Sequence, residues 1–149
     1  MLRNKLTSIY GLTAIVALCM LLSGVAVAAD SQAGDMQAKV VYHFNQGLEQ
    51  ASNGLRNIGN HLDANPDAKI VVVAHSSGVD FLLKENEDKF KPIVDRLSMM
   101  GVDFRVCENT MHSRDLTEDD FIDSATYVAS GVAEIARLQW QEGYAYIKP

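Results

Sequence analysis

Lys69–Gly78 reads KIVVVAHSSG, and this stretch decides the fold. Lys69–Ala74 is a continuous apolar run, without the alternation of a strand that keeps one face in water. A strand covered on both faces has this pattern, and such strands belong to parallel sheets between helices. His75-Ser76-Ser77-Gly78 then turns the chain and leaves polar side chains at the strand's carboxyl end.

The flanking sequence repeats this alternation. Upstream, Lys39–Phe44 (KVVYHF) is a short β-rich run broken by Gln46-Gly47. Leu48, Ala51, Leu55, Ile58 and Leu62 follow at spacings of three and four, one apolar face of a helix that Asn65-Pro66 ends. Downstream, Val79, Leu82 and Leu83 predict a short helix. Phe90, Ile93, Val94, Leu97 and Met100 predict an amphipathic one, closed by Gly101. Val102–Cys107 (VDFRVC) is a third strand. Asn109–Asp123 reads as a polar loop with one helical turn at Glu118–Phe121, and Thr126–Val128 as a fourth short strand. Ser130 or Gly131 caps a helix over Val132–Gln141, Gly143 stops it, and Tyr144–Ile147 is a last strand or a docked tail. Strands alternating with helices predict an α/β fold, a three-layer α/β/α sandwich with a mainly parallel sheet of about five strands. The crossover rule fixes the hand of each unit but not the strand order.

The 149 residues suffice for one domain. A composition of 48% apolar and 21% charged residues excludes a disordered acidic tail, a collagen-like repeat and a disulfide miniprotein. With 13 basic against 19 acidic residues the net charge is −6, and no basic surplus exists to neutralise nucleic-acid phosphates. The first residues read as an address. Arg3 and Lys5 precede the apolar Leu12–Leu22, and Ala26-Val27-Ala28 supplies a small-residue cleavage site. The expectation is a signal peptide over 1–29, a flexible leader over 30–37 and a domain over 38–149, secreted to the periplasm, with no membrane attachment after cleavage. The competing reading is an uncleaved anchor, since Leu6–Ala29 carries no charge. Leu18 before Cys19 departs from a lipoprotein context.

Cleavage also removes Cys19 and leaves Cys107 as the single cysteine. In an oxidising compartment a lone thiol closes no internal disulfide, so it is buried and inert, paired between chains, or used for chemistry. Sites in open α/β sheets lie outside the carboxyl ends of the strands. The three strand ends here carry His43-Phe44-Asn45, His75-Ser76 and Cys107-Glu108-Asn109. The candidate nucleophile is Cys107, with His43, Asn45, His75, Ser76 and Asn109 as binding candidates. The thiolate is the reactive form, and a thiol at its ordinary pKa of about 8.5 is mostly protonated near neutrality. His43, His75, Arg105 and Arg114 are the candidates to favour the thiolate. The polar residues after Cys107 predict partial exposure. The competing reading is a small hydrophobe closing a buried strand.

Lys39–Phe44, Asn57–Leu62, Ile70–His75 and above all Gly101–Thr110 (GVDFRVCENT) resemble the DsrE/DsrF family of small α/β proteins, in its exported single-domain branch. Ser130–Gln139 and Gly143–Pro149 resemble it too. In sulfur-relay members a cysteine ending a Gly-Val-x-x-x-x-Cys segment carries a persulfide, and Cys107 falls on that position. The resemblance therefore implies a thiol that accepts or relays sulfane sulfur, a homo-oligomer (trimer or hexamer), and a sulfur-donor or acceptor protein as partner.

Two other readings compete. His43, His75 and Cys107 form an N₂S set suited to zinc or copper, though no close-spaced ligand pair accompanies them, and no metal is assigned. A non-enzymatic assembly or binding module would use Met99, Met100, Phe104, Trp140, Tyr144 and Tyr146 as an interface, with core packing the simpler role for Phe104. No Gly-rich nucleotide loop, flavin motif or Ser-His-Asp signature is present, and no cofactor is expected.

Overall fold

A computed structural model describes residues 37–149. The expected signal peptide with its cleavage site, and Cys19, lie outside the described residues. The elements run β1 (Lys39–Phe44), α1 (Leu48–Ala64), β2 (Lys69–Ala74), α2 (Glu87–Met99), β3 (Asp103–Cys107), α3 (Glu108–Ser113), β4 (Ala125–Val128), α4 (Gly131–Glu142) and β5 (Ala145–Ile147). The sheet order is β4-β3-β2-β1-β5, and every pairing is parallel. The α/β sandwich expected from the sequence is the fold observed.

Strand order decides which helix covers which face. The chain steps from β1 through β2 and β3 to β4 in one direction, then returns past three strands to β5. Right-handed crossovers in opposite directions place their helices on opposite faces. Accordingly α1 and α2 pack together on one side, while α4 alone lies across β1, β2 and β3 on the other.

Strand alternation divides the core the same way. Tyr42, Phe44, Ile70, Val72, Ala74, Phe104 and Val106 point to the α1/α2 side and join Leu55, Ile58, Phe81, Phe90 and Leu97. Phe81 centres an aromatic cluster, with ring centroids 5.3 Å from Phe44 and 6.1 Å from both Phe90 and Phe104. The α4 side has a smaller apolar patch of Val41, Val71, Val73, Ile135, Leu138 and Tyr144. Beside it an ionic network ties helix to sheet. Glu134 accepts from Arg105 and Arg137, Arg105 also pairs with Asp103, and Arg137 with Glu142. Hydrogen bonds from Arg137 hold the Glu134 carboxyl below its ordinary range; burial opposes this and Arg105 adds to it.

Two segments differ from the sequence reading. The helix expected around Val79–Leu83 is a 3₁₀ helix over Ser76–Leu82. Its Gly78 lies so close to the end of β1 that an added Cβ would fall 2.2 Å from the Phe44 carbonyl oxygen. The polar loop expected after Cys107 begins instead as α3, with Cys107 at its N-cap and Glu108 in its first turn. A carboxylate at a helix start is favourable, and Thr110 and Met111 anchor the turn by burial. Among the described residues no helix is long and apolar enough to cross a membrane.

Candidate functional site

His43, His75 and Cys107 occupy the carboxyl ends of three adjacent strands. In register Val73 lies opposite both His43 and Arg105, so the next same-face positions on β2 and β3 are His75 and Cys107. All three therefore project to the α4 side. The start of α4 closes over them. A Cβ on Gly131 would meet Cys107 Cβ at 3.2 Å, and His75 Cβ and Val73 Cγ1 at 3.4 Å. Glycine at this position lets the helix N-terminus settle onto the rim.

That closure corrects the expected exposure of Cys107, which is 5% exposed. The polar residues after it start a helix, and Gly131 covers the thiol from the opposite side. Neither candidate arginine is free to serve it. Arg105 is committed to Asp103 and Glu134, and Arg114 to Asp80 at 2.6 Å and to the Ser76 carbonyl at 3.2 Å.

The histidines form a hydrogen-bonded pair. Nε2 of His43 and Nε2 of His75 are 2.6 Å apart, so one hydrogen lies between them. Nδ1 of His43 meets the Tyr146 hydroxyl at 2.7 Å, and Nδ1 of His75 meets Ser76 Oγ at 3.0 Å. Burial first, then the charges of His75 and Lys148, push His43 down to about 4. Burial and Lys148 lower His75 as well. Near neutrality both rings are uncharged, and every ring nitrogen has a partner. The pair can hold one extra proton; a second would set two N–H groups against each other at 2.6 Å.

Ser76 is the strained residue of the site, with φ +52°. A side chain in this left-handed region costs roughly 1 kcal/mol. Three contacts hold it there. Its N–H donates to Thr110 Oγ1 at 2.9 Å, its carbonyl accepts from Arg114, and its hydroxyl bonds His75. Thr110 belongs to α3, so the strained turn is pinned to the helix that Cys107 begins.

The remaining candidates stand apart. The Asn45 N–H donates to Gln50 Oε1 at 2.8 Å, and its own Oδ1 is buried with no hydrogen-bond partner. Asn109 is exposed on α3 and makes no side-chain hydrogen bond among the described residues. Nor do three or more His, Cys, Asp or Glu side chains gather there to hold a metal ion. Tyr146, read from sequence as an interface residue, belongs to the histidine chain. Gly131 was legible in the sequence only as part of a helix start, and Thr110 only as a polar residue after the strand; their contacts at the rim depend on which elements meet there.

Fold and rim together define an all-parallel α/β protein with one cysteine at the carboxyl edge of its sheet, beside a neutral histidine pair. The chain belongs to the DsrE/DsrF-like family, whose sequence profile matches residues 23–149. Among solved structures it is similar to MTH1491 from Methanobacterium thermoautotrophicum, a protein of unknown function. That identity is 32% with a TM-score of 0.71, covering 76% of this chain and all of the other. It also shares the fold of the ychN protein from E. coli, at 17% identity and a TM-score of 0.62, with the same coverage. No curated protein matches the chain.

Proposed function

We infer that this is a thiol-based sulfur carrier that accepts sulfane sulfur on Cys107 as a persulfide and passes it to a partner thiol, in the periplasm and as a homo-oligomer. The observation that carries the reading is the position of Cys107. It ends β3 under the first turn of α4, with Gly131 in place of any larger side chain and His75 alongside. A helix N-terminus favours negative charge, and a persulfide is an anion when deprotonated. Membership of the DsrE/DsrF-like family and the Gly101-Val102-x-x-x-x-Cys107 segment support the same chemistry.

In the forward step the Cys107 thiolate attacks the outer sulfur of a donor persulfide. A Cys107–sulfur bond forms, the donor's sulfur–sulfur bond breaks, and the donor leaves as a thiolate. Because Cys107 is 5% exposed, the first turn of α4 must move for a donor to reach it. The test is intact mass after incubation with a small-molecule persulfide. The wild-type protein should gain one sulfur atom and Cys107→Ser none; no adduct on wild type, or equal adducts on both, refutes the reading.

A second reading, an assembly module without sulfur chemistry, draws on the outer face of α4. Val132 and Trp140 stand two helical turns apart and are 62% and 89% exposed. If Cys107→Ser keeps the full cellular role, this reading replaces the first.

A further inference from the structure

The hydrogen bonds of the rim form one continuous chain, from Tyr146 through His43 and His75 to Ser76. Both ends are exposed and the imidazoles between them are partly buried. The chain has two complete polarities. In one, Tyr146 O–H donates to His43 Nδ1, His43 Nε2–H to His75 Nε2, and His75 Nδ1–H to Ser76 Oγ, which leaves the serine hydrogen free to donate outward. In the other, every hydrogen has moved one step and Ser76 O–H donates to His75 Nδ1. Each polarity satisfies every nitrogen, so the two interconvert by passing hydrogens along the chain with no net charge left on either ring.

We propose that these four side chains are a proton relay that delivers a proton at Ser76 to the thiolate leaving the sulfur donor, with Tyr146 as its solvent end. The inference rests on the sulfur-carrier reading. The donor is a persulfide, RS–SH, and the Cys107 thiolate takes its outer sulfur to give Cys107–S–SH and RS⁻. RS⁻ takes the Ser76 hydrogen. Ser76 takes one from His75 Nδ1, His75 Nε2 takes the bridging hydrogen, His43 Nδ1 takes the tyrosine's, and water reprotonates Tyr146. No oxidant or reductant is consumed. The serine end lies on the same rim as the thiol, since its backbone is pinned at positive φ to α3, the helix that Cys107 begins, and a Cβ added at Gly131 would meet the Cβ atoms of both His75 and Cys107.

The charged and titratable groups around the chain leave it free to work. Arg114 is paired with Asp80 beside Ser76, and Arg105 with Asp103 and Glu134 further along the α4 face. Lys148 is the cation that acts on both imidazoles, and it opposes a resident proton on either. Tyr146 and His43 are positioning residues in this scheme, and Ser76 alone meets the substrate.

The test is the rate of sulfur loading from a small-molecule persulfide, followed by intact mass across pH, in wild type, Tyr146→Phe, Ser76→Gly and the double variant. Phenylalanine keeps the ring and removes only the hydroxyl; glycine accepts the positive φ and removes only the side chain. Each single variant should load at least about tenfold more slowly, as general acid catalysis commonly contributes a hundredfold or more. Each should reach the wild-type final occupancy and lose the alkaline limb of the pH profile, the limb that a proton donor sets, while keeping the acid limb set by the Cys107 thiol. The double variant should be no slower than either single, because both cut one chain. Single variants that load at the wild-type rate and pH profile, or losses that multiply in the double variant, overturn the relay and leave the carrier intact. A wild-type protein that never gains sulfur overturns the carrier reading and the relay with it.

Discussion

On the α1/α2 side of the sheet, aromatic and aliphatic side chains fill the space between two helices and four strands, with Phe81 touching rings from β1, β3 and α2. On the α4 side one helix spans three strands over six buried apolar residues, and ion pairs and a histidine–cysteine rim complete the contact. Both faces are lined by the same strands, one residue out of phase. The first face holds the fold together. The second trades apolar area for charged and titratable groups, and its helix packs on the histidine–cysteine rim through a glycine. The candidate reactive groups thus lie where the covering layer is a single helix, one that could shift without opening the main core.

That contrast predicts unequal costs for the same kind of truncation. Phe81→Ala should lose about 3–5 kcal/mol, since it opens a cavity among three other rings. Leu138→Ala, beneath α4, should lose about 2–3 kcal/mol, because a single helix settles toward the space left behind. Urea unfolding of both variants measures the difference. Equal losses would mean that the α4 layer is as rigidly packed as the other, and would remove the argument for its mobility.

The sequence revealed the strands, and with them the fold class, because parallel strands covered on both faces are written as unbroken apolar runs such as Lys69–Ala74. It revealed His43, His75 and Cys107 as rim residues because strand ends are local features. It did not reveal α3, six residues long, which tertiary burial of Thr110 and Met111 stabilises more than any periodicity of its own. It also misjudged Cys107. The cover over the thiol comes from Gly131, on a helix reached only after β4, and nothing local to Cys107 encodes it. Tyr146 escaped for a related reason. Its bond to His43 depends on β5 pairing with β1, and handedness rules leave strand order open.

Gly131→Ala tests the contact between α4 and the rim directly. The added carbon would meet Cys107 Cβ at 3.2 Å and carbons of His75 and Val73 at 3.4 Å. Those three side chains rise from paired strands, so the helix gives way. The expected cost is about 1–3 kcal/mol, together with faster alkylation of Cys107 by iodoacetamide as the first turn of α4 lifts. Unchanged stability and unchanged alkylation would show that α4 already rides clear of the sheet.

The smallest effect sharpens the comparison through pH. His43 stands at about 4 in the folded protein against an ordinary 6.5, and His75 is lowered too. The unfolded chain therefore takes up protons first as the pH falls. The contribution of His43 is intact above about 6.5 and drains away between there and about 4, where His43 protonates in the folded protein too; His75 adds to the loss in the same direction. Solvent screening of this partly buried pair limits the loss to about 1–2 kcal/mol. Glu134 acts in a lower window. Its carboxyl is depressed from 4.5, so its stabilisation is present above that value and lost as the pH falls through the lowered one. Urea midpoints measured between pH 8 and 4 should thus decline in the wild type and decline less steeply in His43→Gln, where burial and Lys148 still lower His75, while both fall together in stronger acid. A wild-type midpoint that holds steady across the upper window would mean that the two imidazoles are not held as a neutral, bonded pair, and the rim would then be no more sensitive to protons than the aromatic face behind it.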